Sequence, residues 1–303
     1  MSNTNYIVKI KPMRPPNRFG SCFITYIATI IRGHNKELKI NPIDTFYKEK
    51  LLCLILNKFL NEYNDKFSKS DLKSNYLYLS KDHCGSGTNN PECIVSLLMK
   101  TAIEIKQDIF SYIKLNIFPK IIDLLPKMDE FEKTICVHLR LDDLTNTHDY
   151  DGNISYEFFQ KKINEDNNKW QWHNGDYDEF LKSKNARICC RGKLLHQTGP
   201  SYDELDKLIN KLMIENPNHK VILISSKSGS DTIPLKYNKI QNEDIDDDLS
   251  IMINSDILVC SRSTFSWCAA LFHKGREIYM PKWGYISAAG VGSKYDKSNI
   301  KLF

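Results

Sequence analysis

The sequence predicts an α/β protein whose second half forms a doubly wound, mostly parallel sheet. After Gly199–Pro200, segments typical of strands and helices alternate regularly, which is the pattern of parallel strands joined by crossover helices. A strand, a glycine-containing loop and a helix also follow one another near the start of the chain. A chain of 303 residues is long enough for two domains, and we predict them at 1–132 and 133–303.

The N-terminal domain is predicted to be mixed α/β, with helices dominating. Residues 6–12, YIVKIKP, alternate apolar and polar side chains as a half-buried strand does. After the loop NRFGS at 17–21, an apolar segment predicts a helix that stops near Gly33. Leucine, isoleucine and phenylalanine recur at helical spacing over residues 46–64 and 94–128, which predicts further helices there.

The C-terminal domain is predicted to begin with a short buried strand, TICVHLRL, at 134–141. Residues 144–198 are polar and weakly periodic, which predicts a long insertion. A capping-box spacing from Ser201 predicts a helix that runs to about Glu215. The apolar runs that follow predict the strands KVILISS, ILVCS and REIYMP, a helix through LSIMIN, and a second helix after SRSTFS.

Composition and charge exclude several classes of function. The formal net charge of +5 is spread along the chain, so the dense basic footprint of a nucleic-acid-binding protein is missing. A mild positive excess suits a small anionic ligand, and it equally suits no particular partner. The longest apolar stretch, residues 22–31, is too short to span a bilayer, and no signal peptide is recognisable. Nine cysteines without a C-x-x-C pair favour a reducing compartment, so we predict a cytoplasmic protein.

Three predicted strands end in polar clusters. These are HLRLDD after the strand at 134, SSKSGSD after the strand at 220, and SRSTFS after the strand at 257. Ligands of doubly wound sheets bind at the carboxyl ends of the strands, so parallel strands would bring all three clusters to one crevice. The last cluster holds four hydroxyl groups in six residues, more than a helix cap needs, which favours phosphate binding. A plain helix cap is the alternative.

The cluster HLRLDD places His138 and Arg140 two residues apart, so a strand would direct both side chains to the same face. An arginine fork suits a diphosphate because it donates two parallel hydrogen bonds. The alternative is an ordinary salt bridge between Arg140 and one of the following aspartates. In NRFGS, Gly20 would let the backbone approach a ligand, although a plain loop explains it equally. Neither G-x-G-x-x-G nor a P-loop occurs.

These motifs resemble those of the α1,2- and α1,6-fucosyltransferases. VHLRLDD resembles the family motif H-x-R-x-G-D, and DLSIMINSDILVCSRSTFSWCAALF is similar to the C-terminal motif of the α1,2 branch. NRFGS is similar to the family's N-terminal glycine loop, and the three motifs occur in the family order. Residues 34–130 and 144–200 match no part of the family that we can name.

The resemblance implies a GT-B-like fold, in which two Rossmann-like domains face each other across a cleft. Residues 1–132 would lie on the acceptor side, and residues 133–303 would bind the nucleotide sugar. The implied reaction is an inverting transfer of fucose from GDP-fucose to a hydroxyl group of a glycan, without a metal ion or another cofactor. The implied partners are therefore a nucleotide-sugar donor and a glycan acceptor.

The resemblance also implies roles for single residues. Arg140 would hold the β-phosphate, and His138 would support it or contact the nucleotide. Asp143 is the first candidate for the base that takes the proton of the acceptor, with Asp142 and His148 behind it. The strand ends and the resemblance together predict these donor-binding residues: Arg18, Phe19, Gly20, Ser225, Ser261, Ser263, Thr264, Phe265 and Ser266.

Several positions depart from the family pattern. Ser21–Cys22 replace Asn-Gln, Asp142 replaces Gly, Arg262 replaces Asn, and Cys268 replaces Trp. These departures leave open another nucleotide sugar as donor, or a non-catalytic protein that binds nucleotides or glycans.

Three weaker patterns also remain. The D-x-D at 246–248 suits a metal site, but acidic residues also favour a helix start. The aromatic residues of KWQWH at 169–173 suit stacking on a sugar or a buried cluster. A Ser-His-Asp hydrolase is disfavoured because no G-x-S-x-G elbow occurs.

Overall fold

The structure is a computed structural model. It describes residues 7–8, 19–42, 49–67, 76–77, 94–140, 200, 202–225, 235–242, 244–282 and 284–303. The chain divides into two compact units. The first holds the described residues up to Leu125 together with Ser287–Ser298, and the second holds those from Pro126 to Ile286 together with Asn299–Phe303. The predicted boundary between residues 132 and 133 stays a prediction.

The first unit contains a small parallel sheet. Its strands are β1 (Ile7–Val8), β2 (Lys39–Ile40) and β3 (Tyr76–Leu77), in the order β2-β1-β3. Helix α1 (Phe19–Asn35) lies between β1 and β2 along the chain, so these elements form the strand-loop-helix unit that the sequence predicts. The helix starts inside the NRFGS motif, earlier than predicted, because an almost unbroken run of buried apolar residues begins at its first residue.

Helices make up most of the other residues that the structure describes in the first unit. They are α2 (Leu51–Asn64), α3 (Ile94–Ile105), α4 (Ile109–Asn116) and α5 (Phe118–Ile121), followed by the 3₁₀ turn Ile122–Leu124. The predicted helical stretches at 46–64 and 94–128 are confirmed in type. The longer stretch is broken after α3, where Lys106 has a positive φ of 52° and Asp108 starts a new helix.

Asp108 is a completely buried carboxylate at the start of α4. Its Oδ1 accepts a hydrogen bond from the backbone N–H of Ser111 at 2.8 Å, which caps the helix. Its Oδ2 accepts from the backbone N–H of Lys297 at 2.8 Å. Lys297 belongs to Ser287–Ser298, a segment that we call the C-terminal strap. One carboxylate therefore caps a helix and anchors the strap of the same unit.

Backbone contacts reinforce this anchor. The N–H of Ile109 donates to the carbonyl of Ala289 at 2.9 Å. Gly290 has a φ of +100°, and a Cβ atom at this position would lie only 2.9 Å from the Cα of Asp108. Both the dihedral angle and the close approach require a residue without a side chain.

The second unit is built on a six-stranded sheet in which all paired strands are parallel. Its strands are β4 (Thr134–Leu139), β5 (Lys220–Ser225), β6 (Asn238–Ile240), β7 (Ile257–Val259), β8 (Glu277–Met280) and β9 (Lys301–Leu302). The spatial order β6-β5-β4-β7-β8-β9 is the 3-2-1-4-5-6 order of Rossmann-type sheets. The predicted α/β class and the parallel sheet are therefore confirmed. That two such domains face each other across a cleft stays a prediction.

The helices that lie wholly in the second unit are α6 (Tyr202–Glu215), α7 (Ile245–Asn254) and α8 (Thr264–Leu271), with a 3₁₀ turn at Asp129–Phe131. The short helix α9 (Gly284–Ala288) includes the division between Ile286 and Ser287. The first three were predicted from the sequence, and α6 ends at Glu215 as expected. Within the described ranges, none of the helices has both the length and the apolar character needed to span a lipid bilayer.

One hydrophobic core of the second unit lies between the sheet and α6. Val137, Leu223 and Val259 pack in one cluster with Leu205 and Ile209 of α6. Successive strand residues point to opposite faces, so the odd-numbered residues of β4 and β5 face α6. His138 is consequently directed to the other face of the sheet.

The five cysteines that the structure describes are free thiols, and each is buried: Cys22, Cys53, Cys136, Cys260 and Cys268. They behave as small apolar side chains of the two units, as the sequence predicts.

Candidate functional site

The strand order of the second unit reverses between β4 and β7. These strands are hydrogen-bonded neighbours, with Ile135 opposite Ile257 and Val137 opposite Val259. The chain continues from β4 to β5 on one side and from β7 to β8 on the other. Such a reversal opens a crevice outside the carboxyl ends of the two central strands, and ligands of α/β sheets bind there. Two of the predicted motifs follow these strand ends.

A hydrogen bond joins the two motifs at this point. The Nδ1 of His138, in β4, lies 2.8 Å from the Oγ of Ser261, which follows β7, and both residues are buried. Burial, and secondarily the positive charge of Arg140, lower the pKa of His138 to about 3. The imidazole is therefore neutral at physiological pH.

The aromatic ring of Phe265 also packs beside His138. Its ring centroid lies 5.6 Å from that of His138, and the two ring planes are inclined by 54°. Phe265 belongs to the first turn of α8, so the helix that follows β7 brings it to the end of β4. His138 is thus held by a hydrogen bond and an aromatic contact.

The hydroxyl groups around the start of α8 have different partners. Ser263 is the N-cap, and its Oγ accepts from the N–H of Phe265 at 3.2 Å. Ser266 is fully buried and donates to the carbonyls of Ser261 and Ser263 at 3.4 and 3.3 Å. Thr264, the first helical residue, is partly exposed. Two of these hydroxyl groups therefore stabilise the backbone of the loop itself. That the residues bind the nucleotide-sugar donor stays a prediction.

Arg140 and Ser225 lie at neighbouring strand ends but on different faces. Arg140 comes directly after β4 and is partly buried, and its charge acts on His138. Ser225 ends β5 opposite Leu139, so it shares the face that α6 covers. Its Oγ is buried and has no hydrogen-bond partner among the residues that the structure describes. Parallel strands alone therefore do not bring Ser225 to the His138 side.

The remaining predicted site residues fall into two groups. Phe19 and Gly20 form the first turn of α1 in the first unit, where the Phe19 ring stacks on Phe23 at 5.4 Å. The others lie outside the described residues: Arg18, Asp142, Asp143, His148 and the segment 169–173.

Two departures from the family pattern are interior positions. Arg262 is 1% exposed, and its Nε donates to the carbonyl of Lys282, beyond β8, at 3.4 Å. Cys268 is completely buried in α8, where its thiol donates to the carbonyl of Thr264 at 2.9 Å. Both side chains therefore belong to the interior beneath the loop. The sequence places Arg262 in the polar cluster SRSTFS, and nothing in the local pattern signals its burial.

The D-x-D segment lies in the first turn of α7, as the helix-start interpretation requires. Asp244 caps this helix by accepting from the N–H of Asp246 at 3.0 Å. Asp248 accepts from the Nδ2 of Asn242 at 2.9 Å, and partial burial raises its pKa to about 6. In the described part of the chain, no three His, Cys, Asp or Glu side chains converge in a way that could hold a metal ion.

No protein-family model matches the sequence, and no curated protein matches it. Three solved structures show a distant likeness in backbone. A crystal structure of POFUT1 in complex with GDP has a TM-score of 0.37 and 13% identity, over 99% of this chain and 98% of that one. POFUT1 in complex with GDP-fucose gives 0.28 and 13%, over 99% and 74%. A second GDP complex gives 0.29 and 14%, over 91% and 74%. Likeness at such TM-scores supports no inference about this chain.

Proposed function

We propose that this chain is an inverting, metal-independent glycosyltransferase that moves fucose from GDP-fucose to a hydroxyl group of a glycan. The supporting observation is the contact between His138 and Ser261 at the point where the strand order reverses. It joins two of the three motifs that resemble the fucosyltransferases, at the place where α/β sheets bind ligands. The sheet and its polar strand ends support a nucleoside diphosphate, whereas the motifs alone support guanine and fucose.

The chemistry of the leaving group fits the groups around this crevice. Transfer breaks the bond between the anomeric carbon and a β-phosphate oxygen, and the electron pair leaves with GDP. The N-terminus of α8 offers backbone N–H groups and a partial charge of about +0.5. Arg140 adds a full positive charge close by. Pre-positioned donors of this kind stabilise the developing charge without a metal ion.

The acceptor oxygen attacks the opposite face of the sugar, which inverts the anomeric centre, and its proton goes to a base. His138 is unsuited to that task because its pKa lies near 3 and its Nδ1 is already bonded. This supports a carboxylate as the base. Asp143 is the first candidate and Asp142 the second. His148 ranks behind them because it is not a carboxylate.

Another nucleotide sugar is the second candidate donor. Arg262 and Cys268 stand where the family pattern has Asn and Trp, and both are buried around the start of α8, which is the observation that favours it. A non-catalytic nucleotide-binding or glycan-binding protein is the third candidate, suggested by the replaced family residues Ser21, Cys22 and Asp142. We also propose a cytoplasmic location, which the buried free thiols support because they suit a reducing compartment.

Thermal unfolding with GDP, UDP or CMP tests the donor. A ligand present at one hundred times its dissociation constant stabilises the folded state by about 2.7 kcal/mol, which is readily measured. We expect GDP to raise the melting temperature and the other two nucleotides to leave it unchanged. Stabilisation by UDP alone would refute the choice of donor. Binding of GDP-fucose without a product from any glycan acceptor would favour the non-catalytic candidate.

A further inference from the structure

The tautomer of His138 can be deduced from the hydrogen bond that the hydroxyl group of Ser261 must donate. A serine hydroxyl has one hydrogen to donate, and buried polar groups in proteins almost always find partners. Ser261 is 3% exposed, and among the described residues the one acceptor that its hydroxyl reaches is the Nδ1 of His138, at 2.8 Å. The opposite arrangement, with Nδ1–H donating to Ser261, would leave the buried hydroxyl hydrogen without an acceptor.

We infer that Ser261 is a positioning residue, which donates to Nδ1 and so keeps the proton of the neutral His138 on Nε2. The ring then offers a neutral N–H donor at the strand-order reversal. Ser261 is the one described residue that forms a hydrogen bond with this ring. The Nε2–H has no acceptor among the described residues, so it is available to a ligand at the strand-order reversal.

The chemistry of the ligand follows from this tautomer and rests on the proposed function. A neutral donor beside a cation, Arg140, suits an acceptor atom that carries negative charge. We assign it to a phosphoryl oxygen of the nucleoside diphosphate. The lysine or arginine found at many phosphate sites would add another full charge here, whereas His138 adds direction without charge.

Nitrogen-detected NMR of protein with ¹⁵N-labelled histidine tests the tautomer. Protonated and unprotonated ring nitrogens resonate far apart, and the signals of His138 are those that disappear in the His138→Gln variant. We expect the wild type to carry the proton on Nε2. In Ser261→Ala, the proton should shift to Nδ1 or distribute over both nitrogens, while Ser261→Thr should restore the wild-type pattern. A structural role alone would not move this signature.

Ser255→Ala is the matched control. Ser255 is also buried, and its hydroxyl lies 3.4 Å from a ring nitrogen of another histidine, His273. This variant removes a buried hydroxyl from the same unit and should leave the His138 signals unchanged. A wild-type proton on Nδ1 would overturn the inference. An unchanged tautomer in Ser261→Ala would overturn it as well. The wild-type spectrum is decisive even if that variant fails to fold.

Calorimetry with GDP separates this inference from the proposed function. One hydrogen bond is worth about a 3- to 10-fold change in affinity, so we expect Ser261→Ala to weaken GDP binding by that factor. Ser261→Thr keeps the hydroxyl group and should recover affinity that Ser261→Ala loses, whereas Ser255→Ala should bind GDP as the wild type does. Equal GDP affinity in Ser261→Ala would refute the assignment of Nε2–H to the ligand. Absence of GDP binding to the wild type would instead refute the proposed function, while the spectra still judge the tautomer.

Discussion

Asp108 in the first unit and His138 in the second are both buried ionisable groups, yet their surroundings differ. Both oxygens of Asp108 accept hydrogen bonds from backbone N–H groups, those of Ser111 and Lys297. His138 has one hydrogen-bond partner among the described residues, and that partner occupies only one of its two nitrogens. A buried group that the backbone satisfies completely holds the fold together. A buried group with an unused donor is instead suited to a ligand.

The largest effect is expected from removing the positive charge of Arg140, which lies beside His138. We expect Arg140→Ala to slow sugar transfer by about 100- to 1000-fold, because a pre-positioned donor to the leaving group is lost. The melting temperature should change little, since Arg140 is only partly buried. Activity assays with GDP-fucose and thermal unfolding measure the two quantities. Arg276→Ala is the control, because this exposed arginine precedes β8 at the opposite ends of the strands. Wild-type turnover in Arg140→Ala would contradict the assignment.

Removing the carboxylate of Asp108 should lower stability and leave GDP binding intact, which is the opposite of the result expected for Arg140→Ala. Asp108→Ala loses a helix cap and leaves the N–H of Lys297 without its acceptor, so we expect a loss of about 2–4 kcal/mol in stability. GDP affinity should persist wherever the protein remains folded. Urea unfolding and calorimetry provide the comparison. Asp244→Ala removes the cap of α7 at an exposed position of the second unit, and should cost only about 0.5–1 kcal/mol. Equal losses in both variants would show that the strap contact contributes nothing.

The pH dependence of stability distinguishes His138 further. Its pKa of about 3 in the folded state lies below the value of about 6.5 in an unfolded chain, so the unfolded state binds more protons between these values. The contribution of this residue is fully present above pH 6.5 and is lost progressively as the pH falls towards 3. Between pH 7 and pH 5 the loss is about 2 kcal/mol. Urea unfolding of the wild type and of His138→Gln at several pH values should show a shallower slope in the variant. Identical slopes would contradict the burial of a neutral imidazole.

The smallest expected effect concerns the contact between the strap and Asp108. Gly290→Ala forces a side chain into a φ of +100° and towards the Cα of Asp108, so we expect a loss of about 1–2 kcal/mol. Because the two residues touch, this loss should not add to that of Asp108→Ala. A double-mutant cycle by urea unfolding measures the coupling. Full additivity would show that the strap and Asp108 contribute independently.

The sequence predicted the elements that bury apolar residues. Strands β4, β5, β7 and β8 and helices α6 to α8 were identified because their apolar runs follow the strand or helix period. Strands β6 and β9 were not identified. Both lie at the edges of the sheet, and most of their residues are exposed or only partly buried, so no hydrophobic pattern marks them.

The candidate site was predictable in its members but not in its contacts. His138, Arg140 and Ser261 were identified because polar residues follow apolar strands. The contact between His138 and Ser261 depends on β4 and β7 being neighbouring strands. The order of strands in a sheet is not encoded by any local sequence pattern, so this contact could not be predicted. Ser225 and His138 were both predicted because they lie at the carboxyl ends of neighbouring strands. Side chains alternate between the two faces of a sheet, however, and this places Ser225 and His138 on opposite faces. Residues 141–199, which include Asp143, lie outside the described part of the chain.

The C-terminal strap has a consequence for how the chain is made. Asp108 and Lys297, which share a hydrogen bond, are separated by 189 residues. A ribosome therefore releases nearly all of α1 to α5 long before the strap that belongs with them exists. Contacts this distant in sequence form late, because a long loop must close first. We expect the unit that is synthesised first to stay incomplete until residues 287–298 have been made, although all five of its helices have long left the ribosome by then.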